Sequence, residues 1–417
     1  MEIELLTIGD ELLLGFTIDT NAAHIARALS ALGLAVVRRG TVGDDAERIA
    51  AAVREALDRT GAVITTGGLG PTADDRTRET IAELFGRQLV RDDAILALVE
   101  SRFKKLGMPM PASNVSQAMI PEGARILPNR HGTAPGLWLE DDRGRWCAML
   151  PGVPREMRGL LKEELIPILA ARVGADPTVI LSRTIRTTGI GESALAEQLG
   201  ALARGVDGMP LAFLPGWAGT DLRLTSTARR APSAETVLAA AAAKLRAPIA
   251  RYVYGENETD LAAVVLQLCR ERKLMLATAE SCTGGLIGAR LTAIPGSSDV
   301  FLGGVISYAN EVKERELQVS AELLREHGAV SEPVVRAMVE GVCASFGAAA
   351  GIAITGIAGP DGGTPEKPVG TTWIAIRANG ETRSAGRVFL GDREEIRLRA
   401  SQGAFDMVRR ALSPQIT

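Results

Sequence analysis

In Ala277-Thr278-Ala279-Glu280-Ser281-Cys282-Thr283-Gly284-Gly285 a serine stands between an apolar run and a glycine-rich helix start. Such an elbow exposes a hydroxyl beside free backbone amides. A serine needs a base before it attacks, and Ser307-Tyr308-Ala309-Asn310-Glu311-Val312-Lys313 offers a phenol and an amine at the end of another apolar run. Serine with lysine is an alternative to serine with histidine, and burial beside the serine would lower the lysine pKa enough for it to accept a proton. Tyr308 would relay that proton or donate to a leaving group. The plainer alternative makes Ser281 a helix cap, Tyr308 a strand-end aromatic and Lys313 a solvated helix residue. Cys282 competes as nucleophile, because a thiol at a helix N-terminus is activated, but no histidine partner stands near it in sequence.

Two other segments have the composition of anion loops. Thr66-Gly67-Gly68-Leu69-Gly70-Pro71-Thr72-Ala73-Asp74-Asp75 follows an apolar run and precedes a helical pattern from about Arg76. Gly67, Gly68 and Gly70 would let the backbone approach a phosphorylated ligand, and Asp74 with Asp75 could hold a divalent ion bridging its oxygens. Asp10 and Glu11, at the end of the first apolar run, would complete that metal site if the two strands are neighbours. The alternative is a tight turn with Asp75 as an N-cap and Asp10 or Glu11 capping the following turn. Thr355-Gly356-Ile357-Ala358-Gly359-Pro360-Asp361-Gly362-Gly363 repeats the Thr-Gly-x-x-Gly-Pro spacing of Thr66 to Pro71. It would give amides to an oxyanion or a substrate phosphate, with Thr355 hydrogen-bonding the ligand, or it is a mobile surface loop.

The elements that must hold these groups read as α/β. Residues 1 to about 165 alternate apolar runs (Ile3 to Ile8, Ala35 to Arg38, Ala62 to Thr66) with helical stretches (Asn21 to Leu32, Asp45 to Leu57, Thr77 to Phe85, Asp92 to Leu106), the rhythm of a parallel sheet covered on both faces. From about Pro177 the texture changes to Thr/Arg-rich strands, Val179 to Thr188 and Thr220 to Thr227, around helices at Ser193 to Ala201 and Ala234 to Ala247. After a linker at Glu256 to Thr259, strands are expected at Leu274 to Thr278, Val300 to Ser307, Ile352 to Thr355, Thr371 to Arg377 and Ser384 to Phe389. The fold expected is therefore α/β, with two α/β domains, 1–170 and 256–417, joined by a small α+β domain, 171–255.

Bulk properties narrow the function classes. The 417 residues are 46% hydrophobic and 23% charged with a formal net charge of -3, a soluble globular profile with no polyelectrolyte partner. Gly216-Trp217-Ala218-Gly219 formally fits the GxxG loop of KH modules, but without a basic cluster or stacking aromatics a spacer or dimerisation role is expected in place of nucleic-acid binding. No signal-like or membrane-length apolar run occurs, so the expected compartment is the cytoplasm, without membrane association. Cys147, Cys269, Cys282 and Cys343 lack metal-pair spacing, and the three histidines, His24, His131 and His327, are poorly placed for a Ser-His-Asp triad.

Taken in order, Ile8 to Leu13, Thr66 to Asp75, Leu150-Pro151-Gly152-Val153-Pro154-Arg155-Glu156-Met157, Ala279 to Gly285, Tyr308 to Lys313 and Thr355 to Gly363 resemble the CinA family over nearly the whole chain. The resemblance implies a molybdopterin-binding-like first domain, a KH-like middle domain and a C-terminal domain similar to nicotinamide mononucleotide deamidase. It further implies hydrolysis of that nucleotide to nicotinate mononucleotide and ammonia, with Ser281 as nucleophile, Lys313 as base and Tyr308 as assisting phenol. Thr283, Gly284, Gly285, Asn310, Thr355 and Gly356 would bind the substrate there, and no metal or other cofactor is required. For the first domain it implies divalent-metal-dependent cleavage of ADP-ribose, with Gly67, Gly68 and Gly70 at the ligand and Asp10, Glu11, Asp74 and Asp75 at the metal. A homodimer is expected by analogy. The competing expectation is a nucleotide- or molybdopterin-binding scaffold in competence or DNA-damage responses, without turnover.

Overall fold

Aspartates open several of the helices. Asp19, Asp45, Asp92 and Asp260 each accept a backbone N–H from the first turn of Thr20–Ala31, Ala46–Thr60, Asp93–Lys105 and Leu261–Glu271 respectively. Each cap satisfies a donor that has no partner inside its own helix. These helices then bury one stripe; in Ala46–Thr60 it is Ile49, Val53, Ala56 and Leu57.

The computed structural model describes residues 1–173 and 178–413. The expected texture change at Pro177 lies outside the described residues. The chain divides into two compact units, Met1–Leu181 with Ser226–Glu235, and Ser182–Thr225 with Thr236–Thr417. Most of the middle segment thus packs with the C-terminal segment.

In the first unit a six-stranded sheet runs in the order Ala35–Val42, Glu2–Ile8, Ala62–Thr66, Trp146–Leu150, Gly136–Glu140, Arg125–Leu127. The first four strands are parallel and the last two antiparallel. The parallel rhythm expected to about residue 165 is therefore interrupted by Arg125–Leu127 and Gly136–Glu140, which pair antiparallel, while Trp146–Leu150 joins the parallel set. Both faces of the sheet are buried. Ile3, Leu5, Ile64, Ala148 and Leu150 pack into one core, while Leu6, Ile8, Val63, Cys147 and Met149 pack into the other. That alternation puts successive side chains on opposite faces, which a doubly covered sheet requires.

The second unit repeats the plan. Its five-stranded sheet has the order Phe301–Ile306, Leu276–Glu280, Ala350–Gly356, Thr371–Ala378, Glu381–Val388, with the first three strands parallel and the last two antiparallel. Leu276, Ile352, Ile354, Ile374 and Ile376 fill one core, and Ala277, Ala279, Ala353 and Ala375 line the other. A four-stranded antiparallel sheet, ordered Leu211–Gly216, Gly219–Arg230, Thr178–Thr187, Val253–Glu256, carries the middle segment. Glu256, expected in a linker, ends a strand that pairs with Thr178–Thr187. The GxxG sequence is the two-residue turn of the hairpin Leu211–Gly216/Gly219–Arg230. Among the described residues no helix is long and apolar enough to cross a membrane.

Candidate active site

Parallel strands deliver their C-terminal ends to one sheet edge, where α/β folds bind ligands. Leu276–Glu280 lies between Phe301–Ile306 and Ala350–Gly356, so three of the loops singled out by sequence meet there. Ser281 N–H donates to Ile354 O at 3.0 Å and Ser307 N–H to Glu280 O at 2.8 Å, which pins the elbow between its neighbours.

Lys313 reaches into this edge from the helix Asn310–Leu317 and is only 1% exposed. Its Nζ lies 3.4 Å from Ser281 Oγ, 2.7 Å from Ser307 O and 3.3 Å from Tyr308 O. Among the described residues no carboxylate forms an ion pair with it. Burial pushes its pKa below the ordinary 10.5, against smaller opposing contributions from Cys282 and Glu311. A neutral amine has two N–H groups and one lone pair. In that neutral form two carbonyls would take the donors and the lone pair would be left for the serine hydroxyl, whereas the charged amine donates to it. The reading of Lys313 as a solvated helix residue is overturned by its burial.

Nor does Ser281 cap the helix. That role falls to Glu280, whose buried carboxylate accepts from Gly285 and Ile287 N–H at Oε2, both at 3.0 Å, and from Gly288 N–H at Oε1 at 2.8 Å. A carboxylate at a helix N-terminus meets the positive end of the dipole. The amides expected to be free at Gly285 and beyond are thus occupied. The hydroxyl of fully buried Thr283, by contrast, has no partner. Cys282 is no rival nucleophile, because burial raises its thiol to about 12.

Three other expectations change. The Tyr308 side chain is 60% exposed and its hydroxyl accepts from Arg393 at 2.9 Å, so the group of Tyr308 that meets Lys313 is its carbonyl and not its phenol. The Thr355 hydroxyl is spent on Ala329 O at 2.8 Å. Asn310 is exposed at the start of its helix. Gly356 does sit tightly: a Cβ there would lie 2.8 Å from Thr372 Oγ1 and 3.1 Å from Cys282 Sγ.

Two arginines that the sequence reading passed over complete the site. Arg393 donates to Gly359 O at 2.6 Å as well as to Tyr308, and Arg397 donates to Thr283 O at 2.7 Å. Both come from the C-terminal helix Arg393–Leu412 and line a recess of about 300 Å³ with Leu286 and Leu398.

In the first unit, a cleft of about 440 Å³ opens at the corresponding sheet edge and is lined by Glu11, Asn21, Asp44, Gly67, Gly68, Gly70, Asp74, Asp75 and Gly152, among others. Asp10 is not among its walls; its carboxylate lies against Gly43 and its backbone N–H donates to Asp44 Oδ2 at 3.0 Å. Asp75 neither caps a helix nor stands free, because its Oδ2 accepts from the Thr72 N–H at 2.9 Å and from the Thr72 hydroxyl. Asp44, missed from sequence, has its carboxyl pushed up by burial and by the charges of Asp10, Glu11 and Asp74. Among the described residues no three His, Cys, Asp or Glu side chains are arranged to hold a metal ion. The expected set of Asp10, Glu11, Asp74 and Asp75 therefore does not assemble.

Gly67 makes the close turn at this cleft. Its φ is +112°, and a Cβ would fall 2.1 Å from Ile8 O. Gly107, also left-handed at +68°, has nothing within 4 Å. Gly67→Ala is expected to cost about 2 kcal/mol more than Gly107→Ala, since both suffer the unfavourable φ but only one meets backbone. Urea midpoints of the two variants check this, and equal midpoints would refute it.

Three family models match consecutive segments: the probable molybdopterin binding domain at residues 4–171, the damage-inducible protein CinA KH domain at 182–255 and the CinA C-terminal domain at 258–412. A CinA-like protein of Gemmatimonas aurantiaca is 63% identical over 414 residues, which cover 99% of this chain and 97% of that protein. The chain belongs to the CinA family. A putative competence-damage inducible protein of Symbiobacterium thermophilum is 44% identical over 99% of each chain. Among solved structures, the competence damage-inducible protein A from Klebsiella pneumoniae is 39% identical, covering 36% of this chain and 94% of its own, with a TM-score of 0.36. This CinA-family chain thus has its Ser-Lys pair in the segment matched by the C-terminal model and its glycine loop in the segment matched by the molybdopterin binding model.

Proposed function

We propose that this chain hydrolyses the carboxamide of nicotinamide mononucleotide, releasing ammonia and nicotinate mononucleotide. The observation that carries the reading is the buried Lys313 amine, unpaired by any carboxylate among the described residues, 3.4 Å from Ser281 Oγ. Ser281 Oγ attacks the carboxamide carbon while its proton passes to the Lys313 lone pair. The tetrahedral adduct collapses by breaking the C–N bond, and the lysine proton goes to the departing nitrogen as ammonia forms. Water then attacks the acyl-serine, giving a proton to Lys313; as the ester bond breaks that proton passes to Ser281 Oγ, and the acid formed loses its own proton to solvent as the carboxylate leaves. Arg393 and Arg397, beside the recess that adjoins Thr283, supply guanidinium groups suited to the nucleotide phosphate.

The full chain incubated with nicotinamide mononucleotide is expected to release ammonia and nicotinate mononucleotide in equal amounts. Binding of the nucleotide with no ammonia would leave the scaffold reading in its place.

For the first unit we propose a nucleotide ligand. Asn21 supports it: the carboxamide nitrogen donates to Gly152 O at 2.7 Å and to Thr66 Oγ1 at 3.3 Å, while its Oδ1 is buried without a partner on the cleft wall. An unpartnered acceptor suits a sugar hydroxyl or a ring amine. The carboxylates there are not arranged to hold a resident metal ion.

A further inference from the structure

The helix Arg393–Leu412 has a second stripe. Arg393 and Arg397 face the Ser281 site, whereas Glu395, Arg399, Gln402, Asp406 and Arg410, spaced at three and four residues, line a separate cleft of about 750 Å³. Its opposite wall is the GxxG hairpin turn with Trp217, together with the Thr188–Glu192 loop.

This cleft contains buried donors without acceptors. Gln402 is 2% exposed, and its Nε2 has no partner among the described residues. The orientation of this amide is fixed, because Oε1 accepts from Arg290 Nη2 at 3.0 Å, and Arg290 is itself held by Asp260 at 2.8 Å and Ser401 at 3.0 Å. The carboxamide nitrogen is therefore the end left over. Arg399 Nε is likewise buried and unpartnered, and its Nη2 is no closer than 4.0 Å to Glu395. Buried donors left unpaired cost free energy, and an occupant rich in acceptors removes that cost.

The nearby carboxylates do not fill the need. Asp406 is paired with Arg409 at 2.7 Å and with Arg410 at 2.8 Å, and Glu395 closes the capping box at Asp392. We propose that this cleft binds an oxyanion, a phosphoryl group of a small molecule, through Gln402 Nε2 and Arg399, at a site separate from the Ser-Lys pair. Trp217, 37% exposed with Arg290 stacked 5.1 Å from its ring, forms the wall against which the remainder of such a molecule lies.

The cleft can be read directly. The full chain is labelled with 5-fluorotryptophan, and the Trp217 resonance is assigned with Trp217→Phe. Inorganic phosphate and pyrophosphate are then titrated against it at constant ionic strength. The resonance is expected to shift saturably, with a midpoint raised about tenfold in Arg399→Met and restored toward wild type in Arg399→Lys, the effect of losing one charge-assisted hydrogen bond. Gln402→Met, which keeps the side-chain length, should raise the midpoint as well. A Trp217 resonance that does not move, or one that moves with the same midpoint in Arg399→Met, would overturn the assignment. Neither result depends on ammonia release, so failure here is distinct from failure of the proposed reaction.

Discussion

Lys313→Met is expected to lower ammonia release by about a thousandfold, because general-base catalysis contributes roughly 10²–10⁴ and no second base touches Ser281 Oγ among the described contacts. Ser281→Ala should lose about as much, and the double variant little more, since the two groups act as one unit. Methionine keeps most of the lysine stem, so the comparison removes the amine rather than the packing. A steady-state assay that finds a tenth of wild-type turnover in Lys313→Met would refute its role as base. The same lysine sets a pH dependence. Its folded pKa lies below 10.5, so in the interval between the two values the unfolded chain holds more protons. Stability should therefore rise with pH across that interval and level off below the folded pKa, where both states hold the proton. Activity should climb with pH over the same limb, as protonated Lys313 gives way to the neutral base.

Glu280→Ala is expected to destabilise the second unit by about 3–5 kcal/mol, because it strips one buried carboxylate from three backbone donors at once. Glu280→Gln, which keeps an acceptor oxygen, should cost less, about 1–2 kcal/mol. Chemical denaturation measures both, and a loss below about 1 kcal/mol for the alanine variant would show that water replaces the carboxylate at no cost. Turnover should fall in the alanine variant even where it remains folded. Glu280 holds the segment that follows Ser281, and an error of about 1 Å in a reacting group costs roughly a hundredfold.

Local pattern went far in this chain. Apolar runs bounded by glycine placed the strands Ala62–Thr66 and Thr371–Ala378 almost to the residue, and helical periodicity began the stretch at Asp45 one residue early, because that aspartate is the cap and the helix starts at Ala46. The Ser281–Lys313 pairing was legible because both residues follow neighbouring parallel strands, and the ends of such strands share one edge. What escaped depends on distant partners. Gly136–Glu140 and Trp146–Leu150 are buried on both faces like parallel strands, yet they pair antiparallel with each other, and nothing within either segment encodes that choice. Glu280 reads as an ordinary charged residue until the glycine-rich turn folds it back onto the helix start. Its signal was an acid just before a helix, in the position that a dipole favours. Arg393 and Arg397 escaped because the carbonyls they bind lie 34 and 114 residues away in sequence. Tyr308 was assigned by its neighbourhood in the chain, which fixes its carbonyl at Lys313 but leaves its ring free to find Arg393.

The four thiols are all buried, Cys147 in the first unit and Cys269, Cys282 and Cys343 in the second, and each is pushed up to between about 11 and about 12 by burial. A maleimide or disulfide reagent therefore meets no reactive sulfur in the native molecule and must wait for an opening event. Because the two units hold different cysteines, the labelling rate at Cys147 clocks the breathing of one, and the rates at the other three clock the breathing of its companion. The chain thus carries a built-in stopwatch for each half, readable by mass spectrometry without any added probe.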